Sequence, residues 1–101
     1  MIAYVFQAAG LGADDYDGLM SALGRADVNG PAPDGFVAHL AGPTADGWRV
    51  VDVWRSEGAA GAFYGSDRFQ AMIRDAPIEI APEPWPLHRA EIDATMRHTA
   101  A

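Results

Sequence analysis

Two residues near the middle of the chain have the types and setting for acid–base chemistry. His39 stands inside the apolar run Phe36–Ala41 (FVAHLA), and Asp52 stands between Val51 and Val53 in Trp48–Trp54 (WRVVDVW). An imidazole with an ordinary pKa near ~6.5 exchanges protons at neutral pH, so His39 is the candidate general base. A carboxylate among valines is costly to bury alone, so Asp52 needs a partner such as Arg49, Arg89 or His39. A base oriented by a carboxylate is a workable catalytic pair. The same two residues also read as a structural hydrogen bond within a sheet or between subunits, and the sequence leaves both readings open. Aromatic residues supply the apolar surroundings: Tyr4, Phe6, Trp48, Trp54, Phe63, Tyr64 and Phe69 can line a pocket between sheet and helices. Plain core packing is the competing role for each of them. Arg89 is a further candidate for holding an anionic group.

Other chemistry finds no footing. There is no cysteine, which excludes disulfides, thiolate metal sites and a thiol nucleophile. His39, His88 and His98 do not stand at the spacing of a metal site. Gly10 and Gly12 lack the rest of a dinucleotide fingerprint, and Asp14, Asp15 and Asp17 lack the spacing and terminal Glu of a calcium loop.

The elements that must position these residues follow from periodicity and punctuation. Ile2–Gln7, Phe36–Ala41, Trp48–Trp54 and Leu87–Ile92 read as strands. Asp14–Leu23 places Tyr16, Leu19, Met20 and Leu23 on one helical stripe, and Gly24 stops it. Ser56 caps a second helix, which is expected to break near Gly65 and restart on Ser66, with Pro77 ending it. Pro82, Pro84 and Pro86 form a stiff approach to the last strand. The order β-α-β-β-α-β predicts a ferredoxin-like α+β unit over residues 1–94, with 95–101 as a tail. If Ala41 pairs with Trp48 across the hairpin, His39 and Asp52 share a face as diagonal neighbours; a slip of one residue parts them. The strand Trp48–Trp54 is apolar on both faces, Val50 and Trp54 on one and Val51 and Val53 on the other. Helices can cover only one, so the other predicts a homodimer packed sheet to sheet.

Composition sets the outer bounds. With 101 residues, half of them hydrophobic, the chain makes one small domain with a core. Seven Arg, no Lys and fourteen acidic residues give a net charge of −7, which argues against nucleic acid as a partner. The longest apolar run, Met1–Phe6, is far short of the ~20 residues of a membrane span and has no basic flank of a secretory leader. The expectation is a cytoplasmic domain.

The hairpin also carries a resemblance. Gly35-Phe36-Val37-Ala38-His39-Leu40-Ala41-Gly42-Pro43 and Asp46-Gly47-Trp48-Arg49-Val50-Val51-Asp52-Val53-Trp54 resemble small actinobacterial members of the antibiotic biosynthesis monooxygenase-like family, of the dimeric α+β barrel superfamily. Tyr16-Asp17 and Phe63-Tyr64 fall where such proteins have them, so the similarity spans about residues 1–92. It implies a homodimeric barrel and a monooxygenase-like oxidoreductase, or a related isomerase or cyclase, that needs no cofactor. Its substrate would be an aromatic or polyketide-like small molecule. The alternative is a dimeric binding or interaction module that shares the barrel without the chemistry. By resemblance Trp54 would hold a planar substrate, joined by Phe63, Tyr64 and Phe69. Oxygenase members often carry an Asn on the sheet, and this chain has only Asn29, in a loop. Haem, bound by related barrels, is the one cofactor that His39 or His88 could ligate.

Overall fold

A computed structural model describes residues 1–76, 82–93 and 95. The branched and aromatic segment at the N-terminus forms β1 (Ile2–Ala9), followed by α1 (Ala13–Ala22), β2 (Phe36–Pro43), β3 (Gly47–Trp54), α2 (Glu57–Tyr64), α3 (Asp67–Asp75) and β4 (Glu83–Pro86). The four strands form one antiparallel sheet in the order β2-β3-β1-β4. That is the ferredoxin-like α+β arrangement expected from the element order.

Local chemistry explains the helix ends. Gly12 caps α1 without a side chain, and Asp15 compensates by accepting the Gly12 N–H at 3.0 Å. Ser56 Oγ accepts the Ala59 N–H at 3.1 Å to start α2, and Ser66 Oγ accepts the Phe69 N–H at 3.3 Å to start α3. The break between them falls at Gly65, as the glycine-rich sequence implies. Two glycines allow close approaches. Gly35 has φ +78° and lies against Ala59 of α2, while Gly47 lies against the Ala8 carbonyl of β1; a Cβ at either would collide with those atoms.

The sheet departs from expectation in two places. The fourth strand is Glu83–Pro86, and Leu87–Ile92 is not a strand. Prolines at an outer edge cost no ladder bond, because the N–H they lack would face solvent. Here the odd residues carry the pairing: the Leu87 N–H bonds the Met1 carbonyl at 3.3 Å, whereas Pro84 and Pro86 stand opposite Tyr4 and Ile2. The second departure is the hairpin register. Pro43 pairs with Trp48, Ala41 with Val50 and His39 with Asp52, two residues away from the expected alignment. A shift of two preserves the face, so His39 and Asp52 become direct rather than diagonal neighbours. A bulge at Val37 then restores the pairing of Phe36 with Trp54.

Alternation across the sheet separates two surfaces. Ile2, Tyr4 and Phe6 stand opposite Trp54, Asp52 and Val50 on the helix side, where Ile2, Trp54 and Ala60 form the core with Phe36, Phe63 and Tyr64 against it. The other face carries Val5, Val51, Val53, Leu40 and Trp85, and leaves Leu40 63% and Trp85 56% exposed. Among the described residues no helix is long and apolar enough to cross a membrane. The expected tail falls on residues 95–101, of which only Thr95 is described.

Candidate functional site

The apolar stripe of α1 stands off from the sheet and leaves an open cleft with about 90 Å³ of interior space. Its walls come from Tyr16, Leu19 and Met20 of α1 and Leu23 at its C-terminal cap, from Phe63 and Phe69 of α2 and α3, and from Phe6, Phe36, Trp48, Val50 and Trp54 of the sheet. Its apolar lining with a few convergent polar groups is that of a small-molecule site. The glycines of α2 do not make this room. Gly58, Gly61 and Gly65 are exposed and lie outside the cleft, which opens instead between α1 and the hairpin.

One hydrogen-bonded chain of side chains runs along the sheet at the cleft. His39 Nδ1 lies 2.5 Å from Asp52 Oδ1, and the Tyr16 hydroxyl lies 2.5 Å from His39 Nε2. The Tyr64 hydroxyl donates to Asp52 Oδ2 at 2.8 Å, and Trp54 Nε1–H donates to the Tyr64 oxygen at 2.9 Å. Donor and acceptor inventory sets the direction of these bonds. An ionised carboxylate only accepts, so Nδ1 carries the imidazole proton and Nε2 presents its lone pair. The Tyr16 pKa is pushed up to about 12, chiefly by burial and then by the negative charge of Asp52, so Tyr16 keeps its proton and gives it to Nε2 as a hydrogen bond. Burial and then the Asp52 charge push the Tyr64 hydroxyl well above the ordinary tyrosine value, which keeps it a donor to Asp52.

Asp52 is thereby buried with both oxygens satisfied, one by His39 and one by Tyr64. Of the three partners considered for it, the structure selects His39. Trp54 is only 2% exposed and packs against Phe36, Phe63 and Tyr64, so it forms the inner end of the cleft and is also part of the core. Phe63 and Phe69 line the cleft as well, and Phe69 is buried. Tyr64 stands behind, reaching the site through its hydroxyl. Arg89 is not brought there: it is exposed beyond β4 and pairs with Glu91 at 2.6 Å, a contact two residues away along the chain.

Tyr16 is the site residue that sequence reasoning missed. Its place on the stripe with Leu19, Met20 and Leu23 marked it as core, and the stripe does face inward, but toward the cleft. Its ring stacks on Trp48 with centroids 5.3 Å apart and meets His39 end to end, the two rings 15° from coplanar with centroids 6.0 Å apart. Arg25 is the cation at the rim, its guanidinium 5.3 Å from the Phe36 ring centre. Trp48 Nε1 is buried with no acceptor, the one side-chain atom so placed among the described residues. Also among the described residues, no group of three His, Cys, Asp or Glu could hold a metal ion. Both ring nitrogens of His39 are engaged in hydrogen bonds, and His88 is exposed past β4.

No protein-family model matches the sequence, and no curated protein does either. Solved structures do match its fold. An antibiotic biosynthesis monooxygenase-type protein from Deinococcus radiodurans aligns with a TM-score of 0.66 at 12% identity, over 92% of this chain and 98% of its own. SnoaB, a cofactor-independent oxygenase from Streptomyces nogalater, aligns with a TM-score of 0.65 at 12% identity, over 88% and 94%. Rv0793 of Mycobacterium tuberculosis aligns with a TM-score of 0.62 at 19% identity, over 90% and 100%. Nearly the whole chain thus has the ferredoxin-like fold of antibiotic biosynthesis monooxygenase-like proteins.

Proposed function

We propose that this chain is an enzyme that removes a proton from a neutral, planar aromatic or polyketide-like molecule. Its reaction class is that of a cofactor-independent monooxygenase or a related isomerase or cyclase. The observation that carries the reading is the chain Tyr16–His39–Asp52–Tyr64–Trp54, laid along an apolar cleft. His39 Nε2 is the base. The imidazolium formed on proton transfer is stabilised by Asp52, whose second oxygen Tyr64 holds in place. Trp54 orients Tyr64, so these two and Asp52 are positioning residues.

Deprotonating a weakly acidic aromatic spreads negative charge onto ring carbons, and such a carbon can reduce dioxygen directly. In the oxygenase version a CH₂ group and O₂ become C=O and H₂O, which balances without another reductant. In the isomerase or cyclase version His39 returns the proton to a different atom. The likeness of fold to a cofactor-independent oxygenase supports the first. The net charge of −7 favours a substrate that enters neutral and becomes anionic only at His39.

Oxygen uptake and product formation over anthrones, hydroquinones and related phenols test the reading. His39→Ala should lower turnover by about 10²–10⁴-fold. Equal activity in that variant would make His39 structural. Binding without turnover across the panel would make the chain a ligand-binding module. We further propose that the apolar face bearing Val5, Val51, Val53, Leu40 and Trp85 is covered by a second copy, giving a homodimer.

A further inference from the structure

The tyrosine on α1 is placed as a ligand would be. A flat phenol lies against the indole of Trp48 at 29° and points edge-on at the imidazole of His39, 15° from its plane, with its hydroxyl on the Nε2 lone pair that the proposed reaction needs free. Resting on the proton-abstraction reading, we propose that the space between Trp48 and His39 is a subsite for a planar hydroxyaromatic. Tyr16 fills it in the ligand-free chain, and the ligand's hydroxyl takes over the hydrogen bond to His39.

Three observations bear on whether Tyr16 can leave. No residue of α1 is fully buried, and Tyr16 is held by the Trp48 ring and one hydrogen bond. The ends of the helix are tied down by backbone and arginine contacts. Gly10 N–H bonds the Asp46 carbonyl at 2.8 Å, and Arg68 Nε donates to the Ala22 carbonyl at 2.9 Å. Exchange is therefore a rotation of one side chain, with α1 staying in place. Tyr16 also satisfies the subsite incompletely, because its single oxygen is committed to His39 while Trp48 Nε1 is left without an acceptor. A natural ligand with a second oxygen would answer that donor.

The competing role for Tyr16 is a relay that passes the substrate proton to His39. The two roles predict opposite signs for binding. Calorimetric titration of 2-naphthol into wild type, Tyr16→Phe, Tyr16→Ala and Tyr16→Ala/His39→Ala separates them, with 2-methylnaphthalene as the ligand that lacks a hydroxyl. Tyr16→Phe should bind 2-naphthol about 3–10-fold more tightly than wild type, since the competing hydrogen bond is gone. Tyr16→Ala should gain more, about 10–100-fold, because the Trp48 face is also uncovered. His39→Ala in the Tyr16→Ala background should cancel the part of that gain that 2-methylnaphthalene does not share. Weaker or unchanged affinity in Tyr16→Phe and Tyr16→Ala overturns the subsite and leaves the proton-abstraction reading standing. A gain that survives His39→Ala also overturns it. Failure of all four proteins to bind 2-naphthol overturns both.

Discussion

Removing one oxygen atom from Tyr64 should unfold much of what the site depends on. Tyr64→Phe keeps the ring, which sits 5.1–5.7 Å centre to centre from those of Tyr4, Phe6, Trp54, Phe63 and Phe69, so packing is preserved. The lost hydroxyl serves two buried groups at once. Trp54 Nε1–H loses its acceptor, and at 2% exposure the indole has no access to water as a replacement. Asp52 Oδ2 loses a donor where the residue is 8% exposed. An abandoned buried polar group costs about 1–3 kcal/mol, so the two together cost about 2–6 kcal/mol. The whole stability of a domain this size is about 5–15 kcal/mol. At roughly 4–8 °C per kcal/mol, the midpoint of thermal unfolding should fall by about 8 °C at the least. The measurement is denaturant and thermal unfolding at one fixed chain concentration, since a dimer's stability depends on it. A double-mutant cycle with Trp54→Phe should show coupling of about 1–3 kcal/mol. A loss below about 1 kcal/mol, or no coupling, would refute the hydrogen-bonded chain as described.

Alkaline pH should act through the same hydroxyls. Tyr16 and Tyr64 both hold their protons more tightly in the fold than in the unfolded chain, where tyrosine ionises near ~10. Their contribution is complete below that pH and is lost as pH rises, for Tyr16 between about 10 and about 12. Stability followed against pH should decline over that window, and Tyr16→Phe should flatten the decline. Gly47→Ala should destabilise by about 1–3 kcal/mol, because its Cβ is driven into the Ala8 carbonyl, whereas Gly42→Ala meets open space and should stay within about 0.5 kcal/mol in denaturant titrations. Val51→Asp, placed between Val5 and Leu40 on the apolar face, should abolish the dimer in sedimentation experiments. A wild-type protein sedimenting at 10.7 kDa at micromolar concentration would refute the dimer.

How much of this was legible beforehand depended on how local the deciding physics was. Strand cores such as WRVVDVW, the break at Gly65 and the caps at Ser56 and Ser66 are decided within a few residues, and each appears where the sequence placed it. The parity that brings His39 and Asp52 to one face was readable because alternation survives a shift of two. Their direct pairing was not, since it depends on a turn closing between Pro43 and Trp48 and on the bulge at Val37. The fourth strand was misplaced because prolines at 84 and 86 speak against a central strand, and only the sheet order makes β4 an edge. Arg89 was offered to the site for its charge, yet Glu91 lies nearer along the chain. Tyr16 was hidden by its own periodicity. An apolar stripe looks the same whether it faces a packed core or a cavity.

The prolines of β4 reach beyond the strand they belong to. Because Leu87 and its odd-numbered neighbours point their N–H groups at β1, the positions of Pro84 and Pro86 are those whose donors would have faced outward. The rim of the sheet there offers carbonyls with nothing to donate between them. At the opposite rim β2 is bulged at Val37 and ends in Pro43. Both borders are blunted against pairing with another strand. In the proposed dimer, a copy laid face to face would extend the assembly perpendicular to the sheet instead. The margins of the sheet thus bias how such a dimer would form before any interface residue takes part.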